Sequence, residues 1–444
     1  MIKDLTEGNP SKVLWQFTLP MFVSVIFQQL YNIADSVIVG NFAREGEEAL
    51  AAVGASYPIT MIFMAIAMGF NVGCAVVISQ LFGAKNYRDM KTAVSTTLLA
   101  SFALSVVLSV LGVLLSGSML SLIRTPKNIF GDADIYLKIY IGGFVFLFLY
   151  NVVTGVFTSL GDSKTPLYFL IGSSLSNILL DWVFVAVFHW DVAGVAWATF
   201  LCQGIACILA LITLKKRLKE VVCEEKPDLF SFDMLKKILI FAIPSVLQQS
   251  FVSVGNIFIQ SLVNGFGSSV IAGYSAAIKI NTFAVTCFST LGNAVSSFTA
   301  QNIGAGNNER VKKGLRSGLI MGLIIGIPFF LFCFFKGDGL ILLFMSEESS
   351  LALDTGMQFL KIVAPFYFVI SLKLVTDGLL RGSGAMSSFM VATFSDLILR
   401  VALGYILSVP FGSTGIWMSW PIGWTLGTAL SLAFYAKGVW KVKN

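Results

Sequence analysis

Residues 14–40 read LWQFTLPMFVSVIFQQLYNIADSVIVG, and their reading decides the fold. At about 1.5 Å per residue the run is long enough to cross a bilayer core of roughly 30 Å. It nevertheless carries a proline, Pro20, and a carboxylate, Asp35. A charged side chain inside a membrane costs at least about 2.5 kcal/mol, so Asp35 is expected to face protein or a water-filled cavity that an ion or proton can enter. Pro20 removes a backbone hydrogen bond within the same run; it either allows the helix to bend or sets a static kink fixed by packing.

The rest of the chain repeats this character. Hydrophobic residues make up 56% of the 444 and charged residues 12%, and the mean hydropathy is +0.83, whereas a soluble domain is about 25% charged. The expectation is an all-α polytopic membrane protein. Lys3 and Lys12 precede a first apolar run far longer than a signal-peptide core, with no small-residue cleavage site at its end, so that run is expected to remain in the mature protein. The six cysteines (Cys74, Cys202, Cys207, Cys223, Cys287, Cys333) lack metal-ligand spacing and read as packing residues. The lone histidine, His189, sits in an HWD turn without the partners that nucleophilic or metal-assisted chemistry needs, which argues against an enzyme and against a resident cofactor.

Apolar runs bounded by turn and charge clusters give twelve candidate spans: 14–40, 50–80, 92–118, 135–160, 165–188, 193–215, 237–263, 268–300, 314–336, 357–380, 386–409 and 414–436. With both termini cytoplasmic, the basic residues concentrate on the inner side, above all between Lys215 and Lys237. On the outer side lie only Arg44, Arg124, Lys127, Lys138, Lys336 and Lys361. Basic loops of this kind set topology and meet anionic lipid headgroups; nucleic acid is not an expected partner.

The hydrophilic stretch 215–237 divides the chain into an N-lobe, 1–214, and a C-lobe, 238–444. Pro20 and Asn32 recur as Pro244 and Asn256, SQLFGAK at 79–85 as AQNIGAG at 300–306, GVFTSLGDS at 155–163 as GLLRGSGAM at 378–386, and DVAGVAW at 191–197 as GSTGIWM at 412–418. These matches keep a steady offset of about 220 residues, the mark of an internal repeat. Each half holds six spans and so shares one orientation, giving two pseudo-symmetric six-helix bundles. Parallel repeats of this kind favour alternating access around a central cavity, although a channel could share the symmetry.

Asn177 and Asp181 lie four residues apart on span five and therefore on one helix face. Counting residues from the outer ends of their spans, Asp35 lies roughly 7 Å deep, Asp181 roughly 10 Å and Thr199 of span six roughly 9 Å. Two carboxylates in a poorly hydrated pocket cannot both stay ionised and unpaired: one takes a proton, or a cation such as Na⁺ is held between carboxylate, amide and hydroxyl oxygens. The alternative is that Asp35 and Asp181 only cap or hydrogen-bond neighbouring helices. The second half does not repeat the pair, since Asp35 aligns with Ile259, Asn177 with Arg400 and Asp181 with Gly404. It carries Lys279, Lys373, Asp377, Asp396 and Arg400 instead, which read as internal ion pairs in preference to direct substrate contacts.

These features together resemble the multidrug and toxic compound extrusion (MATE) family, and more closely its bacterial branch related to the DNA-damage-inducible F proteins. The resemblance rests on twelve spans in two lobes and on Pro20 followed by Asp35. It also rests on the GAK and GAG turns at 83–85 and 304–306, RGSG at 381–384, and the mutual spacing of Asn177, Asp181 and Thr199. It implies efflux of bulky, often cationic or amphipathic organic compounds in exchange for Na⁺ or H⁺ across a bacterial plasma membrane by a protein expected to be monomeric. It further implies that Asp35, Asn177, Asp181 and Thr199 form the ion site and that span one bends at Pro20. The acidic C-lobe residues of the other large bacterial branch are not reproduced: span seven has no acid, and Asp377 lies close to Arg381. Gln28, Tyr31, Asn32 and Asn256 are expected to line the substrate cavity among apolar walls suited to weakly discriminating binding. The alternative within the superfamily is a lipid or lipid-linked oligosaccharide flippase, for which Lys279, Lys373 and Arg400 would offer cations to a diphosphate.

Overall fold

In the computed structural model, residues 3–42, 46–223, 225–344 and 350–441 are described, with the side chains of 32–37, 39–42 and 46–50 outside the described set. The described residues form fifteen α-helices and no strand. These are α1 Pro10–Phe42, α2 Gly46–Gly83, α3 Tyr87–Leu122, α4 Lys127–Gly142, α5 Phe144–Ser159, α6 Lys164–Trp182, α7 Asp191–Glu220 and α8 Phe232–Asn264. There follow α9 Ser268–Gly304, α10 Asn308–Phe335, α11 Gly337–Leu342, α12 Ser350–Val363, α13 Tyr367–Gly382, α14 Met386–Phe411 and α15 Ser413–Ala436. Helices are the expected solution, because in hydrocarbon every backbone donor and acceptor must be satisfied within its own segment.

Ten helical segments are long and apolar enough to cross a membrane, and α4 with α5, taken as one span bent by 45°, makes an eleventh. The break falls at the Gly142-Gly143 pair, where helix propensity is lowest. The twelfth expected span is α15, about 36 Å long, whose apolar character is diluted by Trp417, Trp420, Trp424 and several small polar residues. Two other spans read as continuous from sequence are also composite. Span five ends in a π turn, Val183–Val187, and span ten is α12 and α13 joined through a 3-10 turn, Ala364–Phe366, that contains Pro365.

The internal repeat is written in the backbone as well as in the sequence. The turns after α2 and α9 both use a left-handed residue, Lys85 (φ 57°) and Gly306 (φ 71°), and those after α5 and α13 use Gly161 (φ 76°) and Gly384 (φ 89°). Those before α7 and α15 use His189 (φ 56°) and Gly412 (φ 59°). Left-handed backbone strains a residue bearing a Cβ; Asp191 (φ 47°), the repeat mate of Gly412, bears that strain together with His189 two residues earlier. Asn86 and Asn307 match in the same way: each side-chain oxygen caps the following helix by accepting from the backbone N–H of Asp89 or Arg310.

By its contacts the chain divides into two compact units, residues 1–4 with 19–246 and residues 5–18 with 247–444. The changes of unit fall beside the repeated prolines Pro20 and Pro244, both inside unbroken helices. The first unit packs around Phe63, Phe70, Phe144 and Phe148. Within it α2 meets the first half of α8 through Gly69 and Gly73; a Cβ built on Gly73 would lie 2.3 Å from Ala242 Cα, so only glycine allows the approach. The second unit packs around Tyr274, Phe359, Tyr367 and the α15 tryptophans. There α9 meets α13 through Gly292, Gly378 and Gly382.

Candidate functional site

Helix α6 starts at a side-chain cap: Asp162 accepts from the backbone N–H of Lys164 and Thr165 and from the Thr165 hydroxyl. It then runs inside out by the standards of a soluble helix. Its buried side chains are Ser174, Asn177 and Asp181, whereas Leu175 and Leu179 are 59% and 60% exposed, with Tyr168 and Trp182 also exposed. A helix that shows leucine outward and buries a carboxylate is built for lipid on one face and a polar interior on the other.

Asp181 is fully buried and Asn177 is 3% exposed. Neither the oxygen nor the nitrogen of the Asn177 amide has a hydrogen-bond partner among the described residues, which in a protein interior points to water or an ion completing the set. Helix α7 packs against α6 and carries Thr199, half-buried, with Gln203 one turn further on the same face. The Gln203 side-chain oxygen is likewise buried without a partner. Two residues past Asp181 the helix passes into its π turn, closed by the Phe188 N–H donating to Val183 O at 3.0 Å. Such turns recur at functional sites because they re-aim neighbouring side chains. Asp35 and Asn32 lie on α1, and their side chains fall outside the described residues.

Sequence reasoning missed Ser174, Gln203 and the π turn. The first two had a signal in their spacing, three residues before Asn177 and four after Thr199. The π turn had none. Among the described residues no three His, Cys, Asp or Glu side chains converge, so a cation here would depend on carboxylate, amide and hydroxyl oxygens, a set suited to a hard monovalent ion.

The second unit holds a different constellation. Lys373 Nζ lies 2.7 Å from Asp377 Oδ2 and 3.6 Å from Asp396 Oδ2, and the Ser431 hydroxyl donates to Asp377 Oδ1. Helices α13, α14 and α15 are thereby joined through buried charge. Arg400, four residues after Asp396, makes no ion pair within 4 Å among the described residues and instead lies 4.3 Å over the Trp420 ring. The i,i+4 spacing puts Asp396 and Arg400 on one face, but Lys373 takes the carboxylate. Lys279 is exposed, with its ammonium 5.4 Å over the Phe344 ring. Arg381 donates to Asn293 Oδ1. The proposed cavity residues Gln28 and Asn256 are exposed and Tyr31 is half-buried.

Two repeated helical halves, one with a buried polar stripe and one with a buried charge cluster, define a multi-pass membrane protein. A family model described as MatE matches residues 20–183 and 244–406, each match beginning at its half's proline. The probable multidrug resistance protein YpnP of Bacillus subtilis is 31% identical over 439 residues, covering 99% of this chain and 97% of YpnP. A second Bacillus subtilis protein, the probable multidrug resistance protein YoeA, is 28% identical over 455 aligned residues, covering 99% and 97%. Among solved structures, a MOP superfamily transporter from Pyrococcus furiosus superposes with a TM-score of 0.90 at 22% identity, over 98% of this chain and 97% of that one. The chain belongs to the MatE family.

Proposed function

We propose that the protein is a secondary active exporter of cationic or amphipathic organic compounds, driven by inward movement of Na⁺ or H⁺ through the first unit. The observation that carries this reading is the inside-out helix α6, with Asp181 and an unsatisfied Asn177 amide buried under lipid-facing leucines. Burying an ionised carboxylate in that position costs several kcal/mol, which favours a proton or cation arriving there. The kinship with YpnP and YoeA supports multidrug compounds as the cargo.

In the cycle, the ion loads at Asp181 with Asp35 as substrate leaves to the outside, and the loaded protein returns inward. Exchange is tight when each ligand weakens the other's binding, an effect that linkage makes reciprocal. The protein resides in the bacterial plasma membrane with both termini cytoplasmic, as the basic loops support. The flippase alternative needs free cations for a diphosphate. Of the three cations it would use, Lys373 is engaged by two carboxylates, Lys279 rests over Phe344 and Arg400 over Trp420. Uptake of a fluorescent cationic dye into inverted vesicles, with Na⁺ and proton gradients imposed separately, tests the reading. Accumulation under one gradient supports it, and equal uptake with and without both gradients removes it.

A further inference from the structure

Ahead of α1, residues 5–9 form a short non-helical leader that belongs to the second unit. Leu5 is fully buried. Its N–H donates to Gln301 Oε1 at 2.9 Å, and its carbonyl accepts from Asn302 Nδ2 at 3.3 Å. Over this segment lies Arg310, in the first turn of α10. Its Nε and Nη2 donate to Leu5 O at 3.2 and 3.1 Å, Nη2 to Glu7 O at 2.6 Å and Nη1 to Gly8 O at 2.5 Å. The guanidinium is backed by the Phe298 ring at 5.6 Å. One side chain thus gathers the backbone carbonyls of Leu5, Glu7 and Gly8, a use of the planar five-donor fork that lysine cannot copy.

One position before the repeat mate of Arg310 lies Arg88, in the first turn of α3. It performs the corresponding task in the first unit, where Nη1 lies 3.0 Å from Glu225 and Nη2 3.6 Å from Asp228. The leader of α8 is held there too, with Asp228 N–H donating to the Thr92 hydroxyl and Ser231 N–H to the Thr96 hydroxyl. The two clasps differ in kind. Glu225 and Asp228 are 72% and 63% exposed and their pairing is screened by salt. Arg310 works instead through fixed backbone acceptors beside a buried leucine.

Helix α1 changes unit between Thr18 and Leu19, two residues before Pro20. The chain also changes unit between Asp4 and Leu5 and, within α8, between Val246 and Leu247, so any motion of one unit against the other must be taken up at these three crossings. We propose that Arg310 is a positioning residue that anchors the leader of α1 to the second unit throughout the transport cycle. In the N-terminal segment motion is thereby left to the Asp4–Leu5 junction and to the helix beyond Thr18, the leader itself never being released. The inference rests on the exporter reading.

The test uses the full chain in proteoliposomes, with hydrogen exchange at the Leu5 amide and efflux of a cationic dye as joint readouts. In the wild type, Leu5 exchange should stay within twofold between rest and dye turnover; a tenfold rise on turnover overturns the anchor. Arg310→Ala should speed Leu5 exchange at least tenfold and cut efflux about tenfold, with Arg310→Lys between the two. Arg88→Ala should leave Leu5 exchange unchanged. Full efflux by Arg310→Ala overturns the proposal, and if that variant fails to fold the wild-type comparison decides alone. Wild-type protein that expels no dye would defeat the exporter reading, an outcome distinct from a wild type that expels dye with a freely exchanging leader.

Discussion

Replacing Lys373 with methionine keeps the length of the side chain and removes its charge, so it isolates the electrostatic part of the buried cluster. In the structure the Lys373, Asp377 and Asp396 side chains are 3%, 5% and 6% exposed, with one ammonium serving two carboxylates. Without it, Asp377 keeps the Ser431 hydroxyl, and Asp396 is left with an Oδ1 that already has no hydrogen-bond partner. Breaking a buried pair by removing one member costs about 3–5 kcal/mol. At roughly 2–4 °C per kcal/mol for a body of this size, Lys373→Met should lower Tm by about 10 °C. Thermal unfolding in detergent, followed by tryptophan fluorescence, reads this directly. Adding Asp396→Asn removes the carboxylate left without its ammonium and should recover at least half of the loss. A Lys373→Met protein melting within about 2 °C of wild type, or a double variant no better than the single, would show that the cluster is hydrated, and the buried-pair argument would fail.

Gly427→Ala should destabilise by about 1–3 kcal/mol in the same assay, because the added Cβ would lie 2.4 Å from Lys373 Cε and 3.0 Å from Asp396 Cβ. Gly73→Val should abolish recovery of folded, monodisperse protein, since its Cβ would meet the α8 backbone at Ala242. Gly172→Ala, on the same helix as Asp181 but facing open space, should melt no lower than wild type and up to about 1 °C to a few degrees higher, alanine being the better helix former. Asp181→Asn keeps shape and loses charge; it should fold normally and lose gradient-driven dye efflux, and normal efflux would withdraw Asp181 from the ion site.

Much of this architecture was legible because membrane insertion imposes long apolar runs and duplication stamps the same turn chemistry twice. Pro20 and Pro244, GAK and GAG, and Asn177 with Asp181 needed only spacing to be read. The breaks within spans were harder. The 45° bend of α4 on α5 follows from a glycine pair that, in an apolar run, is indistinguishable from ordinary small-residue packing. The π turn after Asp181, where Phe184 lies close against Gly194, has no local signature in the sequence. In the second unit internal ion pairs were expected and Lys373 makes them with Asp377 and Asp396, whereas the place of Arg400 was not legible, because spacing on one helix cannot see Trp420 arriving from another. The Arg310 clasp was invisible for the same reason: its acceptors are backbone carbonyls some 300 positions away, which no side-chain pattern records.

The most direct measurement is reciprocal flux in proteoliposomes holding the purified protein, where an imposed cationic dye gradient is asked to move Na⁺ or H⁺ and the ion gradient to move dye. The account predicts that each gradient drives the other species in the opposite direction, and that Asp181→Asn abolishes both. Dye that crosses at one rate whatever the ion gradients, or ions that flow without dye, would contradict it.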